Sequence, residues 1–340
     1  MSRSPVRIGV LGLDHWYWAT SFIPQVLKHP GCRLAAIWEP SRWRLKATKY
    51  AADRVARDPR EITDSKAIDL VVSFLPCPAN ARWLARAAAH GKAVISNKPV
   101  AMTPAQAAPL LAALRRSRRP SFSLEGTAPL TGRMRMIRGL IRRGAIGRPL
   151  TVSAALRGGM PMAWWDRGGK SGRANWGWWT DPRLVPGGAW IDHSIYAIPE
   201  IGYLLGDAPR RVQATMAKVR YPNLGVEDYG TATYTYRRGA VVTMEYDWIG
   251  RVGSWRLIAG TKGSLNWGKG VPDGKVALTT GRTTRLLAPP KATGPSVLEH
   301  VLDAVRTGRP TVSPVAAGVE NLRVALAAYR AARAGRALRV

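Results

Sequence analysis

The sequence predicts two domains, α/β followed by α+β. A doubly wound parallel sheet is expected over residues 1–120, and an open, mainly antiparallel sheet flanked by helices over residues 121–340. Short apolar runs alternate with helical patterns in the first part, which is typical of a parallel sheet buried on both faces. After Pro120 several stretches instead alternate with period two, which is typical of an antiparallel sheet with one exposed face.

The first domain is predicted to contain four buried strands, each a short apolar run that ends at a turn. These runs are Val6–Leu13, Arg33–Trp38, Ile68–Leu75 and Ala93–Ile95. Helical patterns follow them at residues 22–27, 43–57, 82–90 and 104–116. Proline at the first position of the last pattern is typical of a helix start, because the missing N–H needs no partner there.

The second domain is predicted to begin with a helix from about Thr131. Strands are predicted at residues 150–156, 211–219, 229–236, 240–248, 254–259 and 264–267, and helices at 296–307 and 315–334. On the half-exposed sheet, the aromatic side chains Tyr234, Tyr236, Tyr246 and Trp248 are expected to lie partly in water. Since such a patch usually marks an interface, we expect a homo-oligomer built through this sheet.

Composition indicates a globular chain in a reducing compartment. Hydrophobic residues make up 46% of it, and its two cysteines, Cys32 and Cys77, are too few for a disulfide framework. No stretch approaches the roughly 20 apolar residues that a membrane span needs, and the apolar run after the N-terminus is too short for a signal peptide. A cytoplasmic protein without a membrane partner is therefore expected.

The formal net charge of +31 is unusual. It comes from scattered arginines, with modest clusters at residues 115–119 and 133–143, rather than from a basic arm. No helix-turn-helix, zinc-ligand or RNA-binding pattern occurs, so nucleic acid is not the expected partner and no metal site is predicted. Arginine-rich solvated faces explain the charge, and attraction for acidic substrates or polyanions is the alternative.

The first strand, a turn at Gly12, a helix and a second strand ending in Glu39 form the βαβ unit of a dinucleotide-binding Rossmann fold. The glycine motif is incomplete, because Asp14 and Tyr17 stand where its second and third glycines belong. Asp14 also adds a negative charge where phosphates should bind. By itself this motif indicates cofactor binding only weakly.

Two further segments suggest chemistry. Lys98 follows a buried strand, and ligands bind at the carboxyl ends of parallel strands. Asp192 and Tyr196 are four residues apart on a predicted helix and so share a face, whereas His193 is expected to point elsewhere. Without further support, a solvated lysine, a helix-terminal acid and a core tyrosine would explain all three.

Six tryptophans lie between residues 164 and 190, interleaved with glycine and arginine. Trp165 and Trp179 belong to this group. Exposed indoles can stack on sugar rings or seal a subunit interface, and the sequence favours neither.

With these motifs, the chain resembles the Gfo/Idh/MocA family of nicotinamide-dependent oxidoreductases over nearly its whole length. The resemblance rests on Gly9–Gly12, on Pro76, on Asn97–Pro99 in place of the family's Glu-Lys-Pro, on Gly144–Gly147, and on Gly187–Tyr196. The chain departs from the family at both lost glycines, at Asn97 in place of Glu, at Asn80 in place of His, and at Tyr196 in place of the commoner His. Glucose–fructose oxidoreductases and dihydrodiol dehydrogenases also have the tyrosine.

The resemblance implies hydride transfer between NAD, with NADP as a further possibility, and a carbinol carbon of a sugar, cyclitol or related polyol. It implies that Tyr196 moves the proton while Lys98 tunes it, and that Asp192 orients either the substrate or Lys98. An ordinary tyrosine, with a pKa of about 10, needs such a nearby cation to act as a base. Implied cofactor contacts are Gly12, Asp14, His15, Glu39, Ser41, Arg42, Pro76, Asn80, Asn97 and Lys98, and implied substrate contacts are Trp165, Trp179 and His193.

Two other function classes remain open. The incomplete glycine loop favours a cofactor-binding relative that has lost turnover and serves as a sensor or partner subunit. The net charge of +31 suggests a polyanion-binding protein on the same fold, although the absence of a basic arm weighs against it. Lys98, Asp192 and Tyr196 together favour the enzyme.

Overall fold

The structure is a computed structural model that describes residues 4–161, 177–290 and 294–340. These residues form two compact units. The first comprises residues 4–125, 177–186 and 295–322, and the second comprises 126–161, 187–290 with 294, and 323–340. The tryptophans at 164, 165 and 176 lie outside the described residues, and so does the substrate contact expected at Trp165.

Fourteen strands occur in the described residues: β1 Val6–Leu11, β2 Cys32–Trp38, β3 Leu70–Ser73, β4 Ala93–Ser96, β5 Ser121–Ser123, β6 Pro149–Gly159, β7 Pro209–Ala217, β8 Tyr229–Tyr236, β9 Val241–Asp247, β10 Ile249–Gly260, β11 Gly263–Gly268, β12 Val276–Thr280, β13 Thr283–Leu287 and β14 Leu338–Arg339. The α-helices of the same residues are α1 Trp16–Lys28, α2 Arg42–Thr48, α3 Arg60–Thr63, α4 Cys77–Ala89, α5 Pro104–Ser117, α6 Gly132–Arg142, α7 Ala189–Leu205, α8 Val297–Thr307 and α9 Val315–Ala334. Short 3-10 helices span Ala128–Leu130 and Gly177–Thr180.

The first unit contains a parallel sheet in the order β2-β1-β3-β4-β5. Every residue of β3 and β4 is buried, as the continuous apolar runs predicted. The chain order reverses between β1 and β3, so their carboxyl ends form the crevice where open α/β sheets bind ligands. The predicted doubly wound sheet is confirmed.

One predicted helix of this unit is too long. The helix expected over residues 43–57 is α2, which ends at Thr48, because Lys49 adopts a left-handed conformation. The chain then runs beside β2, where Asp53 donates its backbone N–H to Leu34 and Ala56 to Ile37. Hydrogen bonding along a sheet edge therefore replaces the last helical turns.

Side chains fix the starts of two helices that the sequence predicted. The Thr103 hydroxyl accepts a hydrogen bond from the backbone N–H of Gln106 at the start of α5. Ser296 and Glu299 form a reciprocal capping box at the start of α8.

The second unit contains, within its described residues, a nine-stranded sheet in the order β13-β12-β11-β10-β6-β9-β8-β7-β14. Neighbouring strands are antiparallel except β6 and β9, which are parallel. Helix α7 contacts one face of this sheet through β8 and β9. The mainly antiparallel sheet flanked by helices is therefore confirmed, with β12, β13 and β14 as strands that the sequence did not predict.

The expectation that the aromatic face is partly in water is wrong. Tyr234, Tyr236, Tyr246 and Trp248 are each at most 2% exposed. They lie on the covered face of the sheet, where Tyr234 donates its hydroxyl hydrogen to the Val324 carbonyl. The open face instead carries the threonines of β8 and β9.

Candidate functional site

The turn after β1 requires glycine at its first motif position. Gly12 has a φ of +71°, in the left-handed region, and a Cβ there would overlap the Leu75 side chain. Leu75 follows β3, the neighbour of β1 in the sheet. The backbone of this turn therefore approaches the end of β3 closely, at the predicted ligand-binding edge.

A cluster of charges surrounds the turn. The Glu39 carboxylate is buried and accepts hydrogen bonds from the backbone N–H groups of Leu13 at 2.7 Å and Ser41 at 2.9 Å. Arg44 lies 2.7 Å from the Asp14 carboxylate and 3.7 Å from that of Glu39. Burial raises the pKa of Glu39, the Asp14 charge adds to this, and the Ser41 hydrogen bond and the Arg44 charge oppose it.

Arg44 was not foreseen from the sequence, and it changes the interpretation of Asp14. The acid that replaces the second glycine forms an ion pair and does not present an uncompensated negative charge. Ser41 begins α2, with its hydroxyl accepting from the Arg44 backbone N–H, and the neighbouring Arg42 is exposed.

Two asparagines hold the carboxyl ends of β3 and β4 together. Asn80 lies in the first turn of α4, which Pro76 precedes. It donates its amide hydrogens to the Ser96 hydroxyl at 3.0 Å and the Val100 carbonyl at 2.8 Å. Asn97 donates to the Leu75 carbonyl at 2.7 Å. The amide oxygen of each is buried and accepts no hydrogen bond from the described residues.

Lys98 is completely buried beside an aromatic wall in the same unit. The wall consists of the Tyr17, Trp178 and Trp179 rings. Its ammonium nitrogen lies 5.0 Å from the centre of the Trp179 ring and 5.8 Å from that of Tyr17, within the range of cation–π attraction. The Tyr17 and Trp179 rings are nearly parallel, 5.9 Å apart, and Trp178 stacks on Trp179 at 4.1 Å. Tyr17, which replaces the third motif glycine, is therefore part of this wall.

His15 and Trp178 join the wall to the turn. The buried His15 ring packs edge-on against Tyr17 at 4.4 Å and against Trp179 at 4.7 Å. Trp178 donates its indole N–H to the Asp14 carbonyl at 3.2 Å. Residues more than 160 positions apart in sequence thus meet around Lys98.

Glu125 is a further buried acid that the sequence did not single out. It follows β5, the strand next to β4, and is 3% exposed. Burial raises its pKa to about 7, although a hydrogen bond from Ser123 and the positive charge of Lys98 oppose the shift. The Ser123 hydroxyl donates to its carboxylate at 2.6 Å. Its position two residues after a strand is the only sequence signal for Glu125, and β5, at three residues, is too short for that signal to be read.

In the second unit, α7 follows two glycines at a point where neighbouring atoms leave no room for a Cβ atom. A Cβ on Gly187 would overlap the Tyr329 hydroxyl, and one on Gly188 would overlap the Glu227 backbone. The buried Glu227 carboxylate accepts from the backbone N–H groups of Gly188 at 2.9 Å and Trp190 at 3.0 Å, and from the Tyr329 hydroxyl at 2.7 Å. Glu227 and Tyr329 therefore fix the start of the helix.

Asp192 lies in the first turns of α7 and is 6% exposed. Its carboxylate accepts a hydrogen bond from the Trp248 indole at 3.1 Å. The His193 imidazole lies 3.7 Å from the same carboxylate, so the expectation that His193 points elsewhere is wrong. His193 and Tyr196 are both half-buried and three residues apart, which places them on one face of the helix.

No group of three or more potential metal ligands occurs among residues 4–161, 177–290 and 294–340. In the same part of the chain, no helix combines the length and apolar character needed to cross a membrane.

Two family models match the chain. A model described as "Oxidoreductase family, NAD-binding Rossmann fold" matches residues 6–123, and one described as "GFO/IDH/MocA C-terminal domain" matches residues 134–266. No curated protein matches the chain at a significant level.

Several solved structures share the fold over the whole chain. Aldose–aldose oxidoreductase from Caulobacter crescentus, complexed with glycerol, is 25% identical, with a TM-score of 0.82 over 99% of this chain and 100% of that one. Levoglucosan dehydrogenase with NADH and L-sorbose is 18% identical, with a TM-score of 0.82 over 99% of each chain. An oxidoreductase from Agrobacterium radiobacter with NAD⁺, L-tartaric acid and magnesium is 19% identical, with a TM-score of 0.79 over 99% and 98%.

Proposed function

Because the chain belongs to the GFO/IDH/MocA oxidoreductase family and has its NAD-binding Rossmann fold, we propose that it transfers a hydride between NAD(H) and a carbinol or carbonyl carbon of a sugar, cyclitol or related polyol. Family models that match both halves of the chain carry this proposal. The 25% identity to an aldose–aldose oxidoreductase supports a sugar-like substrate.

The residues of the first unit fit an NAD cofactor. Gly12 leaves the turn without a side chain, and Arg44 neutralises the Asp14 carboxylate that would otherwise repel a pyrophosphate. Asn80 and Asn97 carry buried amide oxygens that can accept hydrogen bonds. The bound nicotinamide would supply the hydride acceptor or donor.

Glu39 favours NAD over NADP, because an acid at the end of the second strand repels a 2′-phosphate. Its bonds to Leu13 and Ser41 hold the carboxylate at the turn, so the same side chain also fixes the shape of the binding loop. Ser41, Arg42 and His15 are proposed as further cofactor contacts.

We assign three residues to substrate and proton handling. Lys98, a completely buried cation, stabilises negative charge that develops on the substrate oxygen. Tyr196 holds or accepts the proton of that oxygen, and Asp192, oriented by Trp248, positions the substrate hydroxyl. Trp179 and His193 are proposed to contact the substrate.

The proposal is tested by steady-state kinetics of NAD⁺ reduction with a panel of aldoses and cyclitols. Lys98→Met and Tyr196→Phe should each lower turnover by roughly 10²-fold, the scale usual for acid–base groups. The double variant should be little slower than either single variant, because groups that act on one proton are not additive. Fluorescence titration should show that Tyr196→Phe binds NADH as the wild type does.

Matched controls are available for both positions. Lys92 is 7% exposed and directly precedes β4, the strand that Lys98 follows, so Lys92→Met removes a buried lysine at the opposite end of the strand. Tyr203→Phe removes a half-buried hydroxyl further along α7. Both controls should keep turnover within about twofold of the wild type.

Two outcomes would overturn the assignment. If His193→Ala abolished turnover while Tyr196→Phe spared it, His193 would be the base. If the wild type bound NADH but turned over no polyol with NAD⁺ or NADP⁺, the protein would be a cofactor-binding relative that serves as a sensor or partner subunit.

We also propose that copies of the chain associate through the open face of the nine-stranded sheet. This face is rich in threonine, and Val241 and Leu257 on it are each 38% exposed. Thr243→Arg near its centre should yield a monomer, whereas Asn223→Arg in an exposed loop should not. Light scattering at micromolar concentration gives the mass, and a monomeric wild type would refute the proposal.

A further inference from the structure

A cavity of about 550 Å³ lies within the second unit, where α6 and α7 end and β6 begins. We propose that it binds a small organic dianion, either a phosphate monoester or a dicarboxylate. Cavities of 300–1,000 Å³ are typical of small-molecule sites. The proposal does not depend on the oxidoreductase activity.

The cavity is distinct from the residues assigned to catalysis. Leu205, in its wall, is thirteen residues beyond Asp192 on α7. At about 1.5 Å per residue, the two lie roughly 20 Å apart along the helix. A ligand in the cavity therefore occupies a second site.

Four arginines line the cavity, against one acid, Asp207. Arg138 lies over the Tyr203 ring at 4.2 Å. The guanidinium groups of the other three, at positions 142, 148 and 238, form no ion pair with the described part of the chain. The Asp207 carboxylate accepts from the backbone N–H groups of Ala208 at 2.8 Å and Arg238 at 2.9 Å.

The partial negative charges at two helix ends balance some, but not all, of the positive charge of these arginines. The carboxyl ends of α6 and α7 each carry about half a negative charge, which attracts basic residues. Together with Asp207 they balance about two of the four positive charges. The remaining surplus of about two charges matches a dianion.

The apolar residues at the base of the cavity and the N–H donors of its arginines further define the ligand. Ile141, Leu204 and Ala240 are each at most 9% exposed and give the cavity an apolar floor. A guanidinium group presents paired N–H donors that match phosphate and carboxylate oxygens. A carbon skeleton on the floor with its charges toward the arginines therefore fits better than an inorganic ion.

Calorimetric titration at pH 8 and constant ionic strength tests the site with four probes: glycerol phosphate, succinate, acetate and inorganic phosphate. We expect at least one of the two organic dianions, glycerol phosphate or succinate, to bind saturably. Its affinity should be at least tenfold higher than that of acetate. Inorganic phosphate should bind more weakly than the better organic dianion, since it leaves the apolar floor uncovered.

The variant Arg142→Gln/Arg148→Gln should weaken binding at least tenfold. The matched control Arg115→Gln/Arg116→Gln removes the same charge from exposed arginines in the last turn of α5, in the other unit. It should leave affinity within about twofold of the wild type. If the first variant unfolds, the exposed Arg238→Gln replaces it with the same direction of effect.

Three results would overturn the proposal. An equal loss in both double variants would show general attraction to the charge of +31. Binding of acetate as tight as that of both dianions would show that the second charge is not recognised. Heats that never saturate for either organic dianion would show that the cavity is not a site.

Discussion

Replacing Glu125 with glutamine should change how the stability of the protein depends on pH. Glu125 is 3% exposed and accepts a hydrogen bond from Ser123 at 2.6 Å. A helical neighbour, Gly318, packs so closely that a Cβ there would lie 2.7 Å from the Glu125 carboxylate. Glutamine has nearly the same shape but cannot ionise, so the variant removes the charge with little change in packing.

The magnitude follows from the pKa. Burial raises the pKa of Glu125 from 4.5 to about 7, and each unit corresponds to about 1.4 kcal/mol. Because the folded pKa is above the unfolded one, the stabilisation is fully present below about pH 4.5 and is lost as the pH rises to about 7. Between pH 5 and pH 8 the wild type should lose about 2.5 kcal/mol relative to Glu125→Gln.

Urea denaturation of both proteins at half-unit steps from pH 5 to pH 8 measures this difference, in which the other titrating groups cancel. In a Lys98→Met background the loss should extend to higher pH, because the charge of Lys98 lowers the pKa of Glu125. Glu299→Gln is the control, since the pKa of this exposed carboxylate is lowered and its difference should stay constant above pH 5. A constant difference for Glu125→Gln as well would refute the reasoning.

Three further substitutions test local structure. Gly12→Ala should lower the unfolding free energy by about 2–4 kcal/mol in urea denaturation and abolish NADH binding, because the added side chain overlaps Leu75. The control Gly144→Ala, at φ +75° with no neighbouring atoms near the added Cβ, should cost only about 1 kcal/mol. Trp248→Phe removes the indole donor of Asp192 and should lower the unfolding free energy by about 2 kcal/mol, with turnover falling as well. Thr103→Ala should cost about 1 kcal/mol in the same assay without changing turnover, and no loss would refute its capping role.

Much of the fold follows from the sequence because its causes are local. A strand buried on both faces is mainly apolar, so β3 and β4 could be predicted from short apolar runs, although each ends in a buried serine. The left-handed turn after β1 needs glycine, and Gly12 is there. Thr103 and Ser296 begin helices because their hydroxyls reach backbone N–H groups only a few residues ahead.

Part of the candidate site was also predictable. The buried strand before Lys98 and the helix that carries Asp192 and Tyr196 were predicted from the sequence, and the structure confirms both elements. The family resemblance, and not the spacing alone, singled these residues out as catalytic, and their roles stay predictions. Glu125 was missed, although it follows β5 as Lys98 follows β4, because β5 spans only Ser121–Ser123 and its pattern is too short to recognise.

Only the tertiary structure decided what these residues meet. A period of two divides β8 into a threonine face and an aromatic face, but it does not say which face a helix covers, and Tyr234 proved to be buried. From the sequence, Asp14 is expected to repel phosphate, but in the structure Arg44, thirty residues further along the chain, forms an ion pair with it. Trp179 reaches Lys98 across 81 positions. Sequence patterns report which neighbours a residue has along the chain, whereas burial and charge pairing depend on neighbours that only folding brings together.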